Sequence, residues 1–186
     1  VSARYGTRAG CALSNSCKAW SFPIDHDQSW WAIEERNEIV EVLRDVLTQC
    51  KIINHLAKYD CKHIRYFLGI DFEPVGDTIQ LSRLVNADAL EHGLKRLAGI
   101  HVGMLDYDDE LTQYVAEHPE CDYKRGGHYG NIPLEILLPY GALDVIATRK
   151  LHDKLYPLLS DKQRVLYHEM IMPADYALGK IEENGF

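Results

Sequence analysis

The sequence has no uninterrupted apolar run of about 18 residues, so it contains no candidate membrane-spanning helix. It has no Cys-x-x-Cys pair. Its five cysteines (Cys11, Cys17, Cys50, Cys61, Cys121) are odd in number and widely spaced. That argues against a zinc ribbon or a disulfide scaffold and reads as reduced thiols in the cytoplasm. The opening "VSARYGTRAG" lacks the apolar stretch of a secretion signal. It also lacks an initiator Met, from which we expect a chain that begins inside a longer protein. Basic residues are the scarcer charge, 20 Lys and Arg against 28 Asp and Glu, for a formal net charge of −8. This argues against a nucleic-acid module that binds tightly by charge alone. It leaves open an active site that reaches a phosphate through bound cations.

What remains is the composition of an ordinary globular domain, and 186 residues suit one domain or one plus the start of another. Residues 9–15 and 18–24 read as two strands joined at Ser14-Asn15-Ser16. A helix is predicted from Ala32 to Cys50, with Ile39, Val42, Leu43, Val46 and Leu47 on its inner face. "KIIN" (51–54) reads as a buried strand, followed by a helix over Ala57–Leu68 with Gly69 in the capping place. Further helices are predicted at 77–86, 89–98 and 106–117, then a glycine-rich loop over 120–133. Pro133 suits the first turn of a long helix reaching Leu155. A last helix over 161–183 holds Pro173, which predicts a kink. Strand–helix alternation followed by helices places the chain in the α/β class.

Two acids fall where apolar residues belong. In "LLPYGALD" (137–144) and beyond, Leu137, Tyr140, Asp144, Thr148, Leu151 and Leu155 recur at steps of three and four and share a helix face. Asp60 likewise shares a face with Ile64, Phe67 and Leu68. A buried carboxylate costs several kcal/mol unless it is paired or binds a metal. Either acid alone can be salt-bridged to an Arg or Lys or lie at the edge of its stripe. Two of them on separate helices are also what a carboxylate site for a hard divalent cation needs. Asp77 reads as a helix N-cap and His92 as structural. In the glycine-rich loop, Lys124, Arg125, His128 and Tyr129 mix cations and aromatics, which suits single-stranded DNA as well as a solvated loop. Lys58, Lys62 and Arg65 flank Asp60 and present either a phosphate contact or a solvated face.

These pieces resemble one family. "AKYDCKHIRYFLGI" (57–70) resembles the second motif, and "YGALD" (140–144) the third, of the 3′–5′ exonuclease domain of family A, polymerase I-like DNA polymerases of bacteria and phages. "GDTIQLSRLVNAD" and "EHGLKRLAGI" resemble the helices between those motifs, and "GCALSNSCKAWSFPIDHD" the hairpin after the first. "LYHEMIMPADYALGKIEENGF" is similar to the helix that leads into the polymerase domain. The resemblance implies an RNase H-like fold, a mixed sheet flanked by helices with its N-terminal strand truncated. It divides the chain into an exonuclease domain over 1–158 and a leading helix over 159–186. It implies two divalent ions, Mg²⁺ or Mn²⁺, that hydrolyse 3′-terminal nucleotides of single-stranded DNA. Asp60 and Asp144 would be catalytic metal ligands, Asp60 through water near the leaving group and Asp144 on the ion that activates the nucleophile. Tyr140 would orient the attacking water. His55, Lys58, Tyr59, Lys124 and Arg125 would contact substrate. The implied partners are a single-stranded 3′ end and a polymerase domain of the same chain. The expected setting is a monomer in the cytoplasm of a bacterium or phage-infected host.

The sequence departs from the family pattern twice. Family members carry Asp-x-Glu on a strand before the hairpin, and here none precedes it; we expect the chain to begin after that motif and to be inactive as it stands. "DFE" (71–73) and "DDE" (108–110) have the letters in the wrong places. Where many members have Asn four residues before the second-motif acid, this chain has Leu56, with Asn54 and His55 just upstream. Two other functions fit the same motifs: a degenerate exonuclease kept as a scaffold for the polymerase, and an RNase D-like RNA-trimming nuclease.

Overall fold

A computed structural model of the chain describes residues 10–15, 18–122 and 129–185. It opens with an antiparallel hairpin, β1 (Gly10–Ser14) and β2 (Ala19–Pro23), in which Gly10 faces Pro23 and Ser14 faces Ala19. Asn15 closes the turn: its side-chain oxygen accepts the Lys18 N–H at 2.9 Å. The first helix, α1 (Ile33–Gln49), starts where the Glu35 carboxylate accepts the Ala32 N–H at 2.9 Å. Its inner face is Val40, Leu43 and Leu47. Val42, expected on that face, is 63% exposed. It lies off the stripe that the steps 40–43–47 define.

A short β-α-β unit follows. β3 (Ile53–Asn54) and β4 (Gly76–Asp77) pair in parallel, joined through α2 (Ala57–Leu68). The strand expected over 51–54 is cut to two residues because its partner is only two residues long. β4 gives way at once to α3 (Thr78–Val85), where Asp77 accepts the Ile79 N–H at 2.7 Å as N-cap. Gly69 ends α2 in the left-handed region at φ 63°, as expected.

Two helices start later than the sequence suggests. α4 spans Leu94–Val102 rather than 89–98. Asn86 draws residues 86–88 into a turn by accepting the Asp88 N–H at 3.2 Å, and the helix begins only after Gly93. α5 spans Asp109–Glu117 rather than 106–117, because Asp106 sits at φ 53° and cannot continue a right-handed helix. The long helix α6 (Leu134–Leu155) begins after Pro133 and accommodates Pro139 near its start. The last stretch comprises α7 (Asp161–Leu166), a π-helical turn (Tyr167–Ile171) and α8 (Met172–Glu183). Instead of one helix kinked at Pro173, the stretch carries that wide turn just before the proline, in which the Met172 N–H bonds back five residues to the Tyr167 carbonyl.

Three apolar clusters hold the fold. The first joins α1 and α2 through Leu43, Leu47 and Ile64; the second joins α3, α4, α6 and Tyr167 through Leu81, Leu97, Leu151 and Leu155. The third gathers Leu111, Ile132, Leu137 and Tyr140. Each buried leucine or isoleucine contributes roughly 1.5–3 kcal/mol. α6 supplies both the second and third clusters and also packs against the hairpin and β3, so its inward face lies at the centre of the molecule. No helix among the described residues is long and apolar enough to cross a membrane.

Candidate active site

The α6 stripe is buried as its spacing predicts: Leu137, Tyr140, Asp144, Thr148, Leu151 and Leu155 all point inward. Asp144 is 1% exposed. Its Oδ1 accepts a hydrogen bond from the Tyr107 hydroxyl at 2.8 Å, and its backbone carbonyl accepts one from Thr148 Oγ1 at 2.9 Å. The Tyr107 ring also stacks on Tyr140, with centroids 6.4 Å apart and planes at 17°. Lys95 of α4 places its ammonium 5.3 Å from the Tyr140 ring centre and pairs with Asp108, the residue after Tyr107.

Asp60 lies in the first turn of α2 and is 2% exposed. Its Oδ2 accepts the Asn54 side-chain amide at 2.7 Å. The strand pair that presents Asn54 sets Asp77 opposite it. The Asp77 carboxylate accepts the Leu56 and Ala57 N–H groups at 3.2 and 2.7 Å as well as that of Ile79. One acid thus caps α2 and α3 together. Burial, opposed by these three bonds, pushes the Asp77 carboxyl up to about 6. Tyr167 braces the same point: its hydroxyl accepts the Asp77 N–H at 2.6 Å and donates to the Asp77 carbonyl at 3.2 Å. Gly76 makes room for it, since a Cβ there would lie 3.3 Å from the Tyr167 hydroxyl.

The other candidates divide. His55 is buried and its Nδ1 shares a 2.8 Å hydrogen bond with Thr78 Oγ1. Lys58 pairs with Glu182 of α8 at 2.7 Å, and Arg65 pairs with Asp71 and Glu183. Both cations therefore face the C-terminal helix. Gly179 permits that close approach, since a Cβ on it would stand 3.0 Å from the Lys58 Cβ. The Tyr59 ring lies 4.0 Å from the His63 ring, and its carbonyl bonds His63 Nδ1 at 2.8 Å. Lys124, Arg125 and His128 lie outside the described residues. Asp71 of "DFE" is engaged at the surface by Arg65, Tyr176 and Lys180. His92 Nδ1 bonds Ser82 Oγ at 2.7 Å, a structural role.

Tyr107 thus brings Tyr140 and Asp144 into one constellation. Asp60 is held by Asn54 at the end of β3, and β3 packs against both α2 and α6. Two buried carboxylates on separate elements, each holding a neutral donor, supply the oxygen-only chemistry that Mg²⁺ or Mn²⁺ takes. In donor type, both acids suit such ions. Among the described residues no three His, Cys, Asp or Glu side chains gather closely enough to hold a metal. Sequence reasoning missed Tyr107 altogether and did not connect Asn54 to Asp60. The only prior signal for Tyr107 was an aromatic residue in a polar run, which periodicity does not mark.

A family model described as 3′–5′ exonuclease matches residues 8–160, and the chain belongs to this family, the 3′–5′ exonuclease domain of family A DNA polymerases. It is 30% identical over 144 residues to a DNA polymerase of Escherichia phage T5, an alignment covering 72% of this chain and 17% of that protein. It is 28% identical over 181 residues to a DNA polymerase of Bacillus phage SP01, covering 95% of this chain and 18% of that protein. The chain thus spans under a fifth of the length of these relatives.

Proposed function

We propose that the chain is the proofreading part of a DNA-directed DNA polymerase, removing 3′-terminal nucleotides from single-stranded DNA ends. The observation that carries this reading is the burial of Asp60 and Asp144 on the inward faces of α2 and α6, within a chain of the 3′–5′ exonuclease family. Asp60 and Asp144 would hold divalent cations, Mg²⁺ or Mn²⁺. When bound, a pair of such ions about 3.5–4 Å apart supplies charge neutralisation at the scissile phosphate and an acidified water. Tyr140 would hold the attacking water through its hydroxyl, one helical turn from Asp144. His55, Lys58, Tyr59, Lys124 and Arg125 remain the proposed contacts to the DNA strand. Residues 1–158 form the exonuclease domain in this reading. Residues 159–186 lead toward a polymerase domain of the same polypeptide, which acts as a monomer in the cytoplasm of the infected or parent cell.

The family pattern calls for four acids, and these residues supply two. We therefore propose that the 186-residue chain alone degrades single-stranded DNA little or not at all, and that activity belongs to the longer protein.

The test uses the polymerase-length protein with Mg²⁺ and single-stranded DNA or RNA. We expect stepwise 3′ release from DNA in preference to RNA, lost by at least about a hundredfold in Asp144→Ala and Asp60→Ala. That exceeds the roughly 10–100-fold that even outer partners of a metal ligand cost. A wild-type protein without cleavage would assign the domain to the scaffold role. Preference for RNA would assign it to RNA trimming.

A further inference from the structure

We propose that Tyr107 is a positioning residue of this site, holding both the Asp144 carboxylate and the Tyr140 ring in working orientation. The inference rests on the exonuclease reading above. Three observations carry it. The Tyr107 hydroxyl donates to Asp144 Oδ1 at 2.8 Å, so the bond fixes which carboxylate oxygen is turned toward the loop and which away from it. The Tyr107 ring lies nearly parallel to Tyr140, at 17°, so the same side chain limits how the second candidate can tilt. The loop that delivers Tyr107 is itself held. Gly103 and Asp106 take left-handed conformations, at φ 70° and 53°, and turn the chain back sharply after α4. Lys95 then clasps the loop through Asp108 while lying over the Tyr140 ring.

The physical reason is general. A carboxylate that must present one oxygen to a cation rotates freely unless its other oxygen is bonded, and partners that fix it tune affinity and rate. A neutral hydroxyl suits this role better than Arg or Lys would. It orients Asp144 without neutralising the charge that draws a cation. Tyr107 belongs to no exonuclease motif seen in the sequence. It reaches Asp144 across 37 positions of chain.

The test compares Tyr107→Phe and Tyr107→Leu with wild type in the polymerase-length protein. It reads Mn²⁺ affinity by electron paramagnetic resonance and single-turnover cleavage of single-stranded DNA. Tyr107→Phe keeps the ring and removes only the hydroxyl. We expect it to weaken Mn²⁺ binding and slow the cleavage step by about tenfold each, with the DNA concentration for half-saturation unchanged. Tyr107→Leu also removes the stacking on Tyr140 and should slow cleavage further without a matching loss of Mn²⁺ affinity. Wild-type behaviour of Tyr107→Phe in both readouts would overturn the proposal. So would tighter Mn²⁺ binding, which would show the hydroxyl competing with the ion. If wild type itself neither binds Mn²⁺ through Asp144 nor cleaves, the exonuclease reading fails, and the role of Tyr107 falls with it.

Discussion

Asn54 and Asp60 are six residues apart in the chain and bonded in the interior, the Asn54 amide donating to Asp60 Oδ2 at 2.7 Å. The bond spans the left-handed turn at Leu56 and ties the end of β3 to the first turn of α2. It holds Asp60 by a neutral group, as the Tyr107 hydroxyl holds Asp144. In each case a neutral donor sets the orientation of a buried acid.

That pairing has a measurable coupling. Asn54→Ala and Asp60→Ala should each lower stability. Their double-mutant cycle should return a coupling of about 0.5–3 kcal/mol, the range for directly bonded interior groups. Urea unfolding of the four proteins measures it. Strict additivity would mean that Asp60 is oriented by something other than Asn54.

Leu56 is one of two non-glycine residues with positive φ among those described, at 67°. A left-handed leucine costs about 1–2 kcal/mol, and asparagine visits this region more easily. Leu56 is 38% exposed, so its side chain secures only part of a buried leucine's return. Leu56→Asn should therefore raise the unfolding temperature, by an amount corresponding to about 1 kcal/mol. A fall in Tm would show that the partial burial outweighs the backbone relief.

Asp77 gives the fold a pH dependence. Its carboxyl is raised to about 6 in the folded chain, above the roughly 3.9 of an unfolded aspartate. The protonated form is therefore favoured by folding. This contribution is full below about pH 4 and is lost as pH rises through about 6. Against Asp77→Asn, which does not titrate, wild type should gain up to about 3 kcal/mol of relative stability between pH 7.5 and 4, from two pH units at roughly 1.4 kcal/mol each. Denaturant unfolding of both proteins across that range is the measurement. A constant difference would mean that Asp77 stays ionised throughout.

Much of the burial pattern was legible because helical spacing is a strong signal. The steps from Leu137 to Leu155 placed Asp144 inside, and α6 buries each of those positions. The N-cap role of Asp77 was also visible, since an acid before a helix has a local reason to be there. Its second role, capping α2 from 20 residues away, was not. Tyr107 and Asn54 escaped for the same cause: their partners lie across the fold, and no local pattern encodes a tertiary hydrogen bond. Val42 was misplaced because the inner face was read as starting at Ile39, whereas the buried stripe runs through Val40, Leu43 and Leu47. The late starts of α4 and α5 turn on Asn86 and Asp106, whose turn-forming conformations override the helical preference of their neighbours.

The brace between Tyr167 and Asp77 spans 90 positions of chain. On a ribosome adding about 5–20 residues per second, the hydroxyl arrives roughly 5–20 s after the strand it must secure. During that interval the start of α2, and Asp60 with it, waits without its final support. A nascent copy of this chain would therefore fix the start of α2 late, after the residues of its first and third apolar clusters have been made.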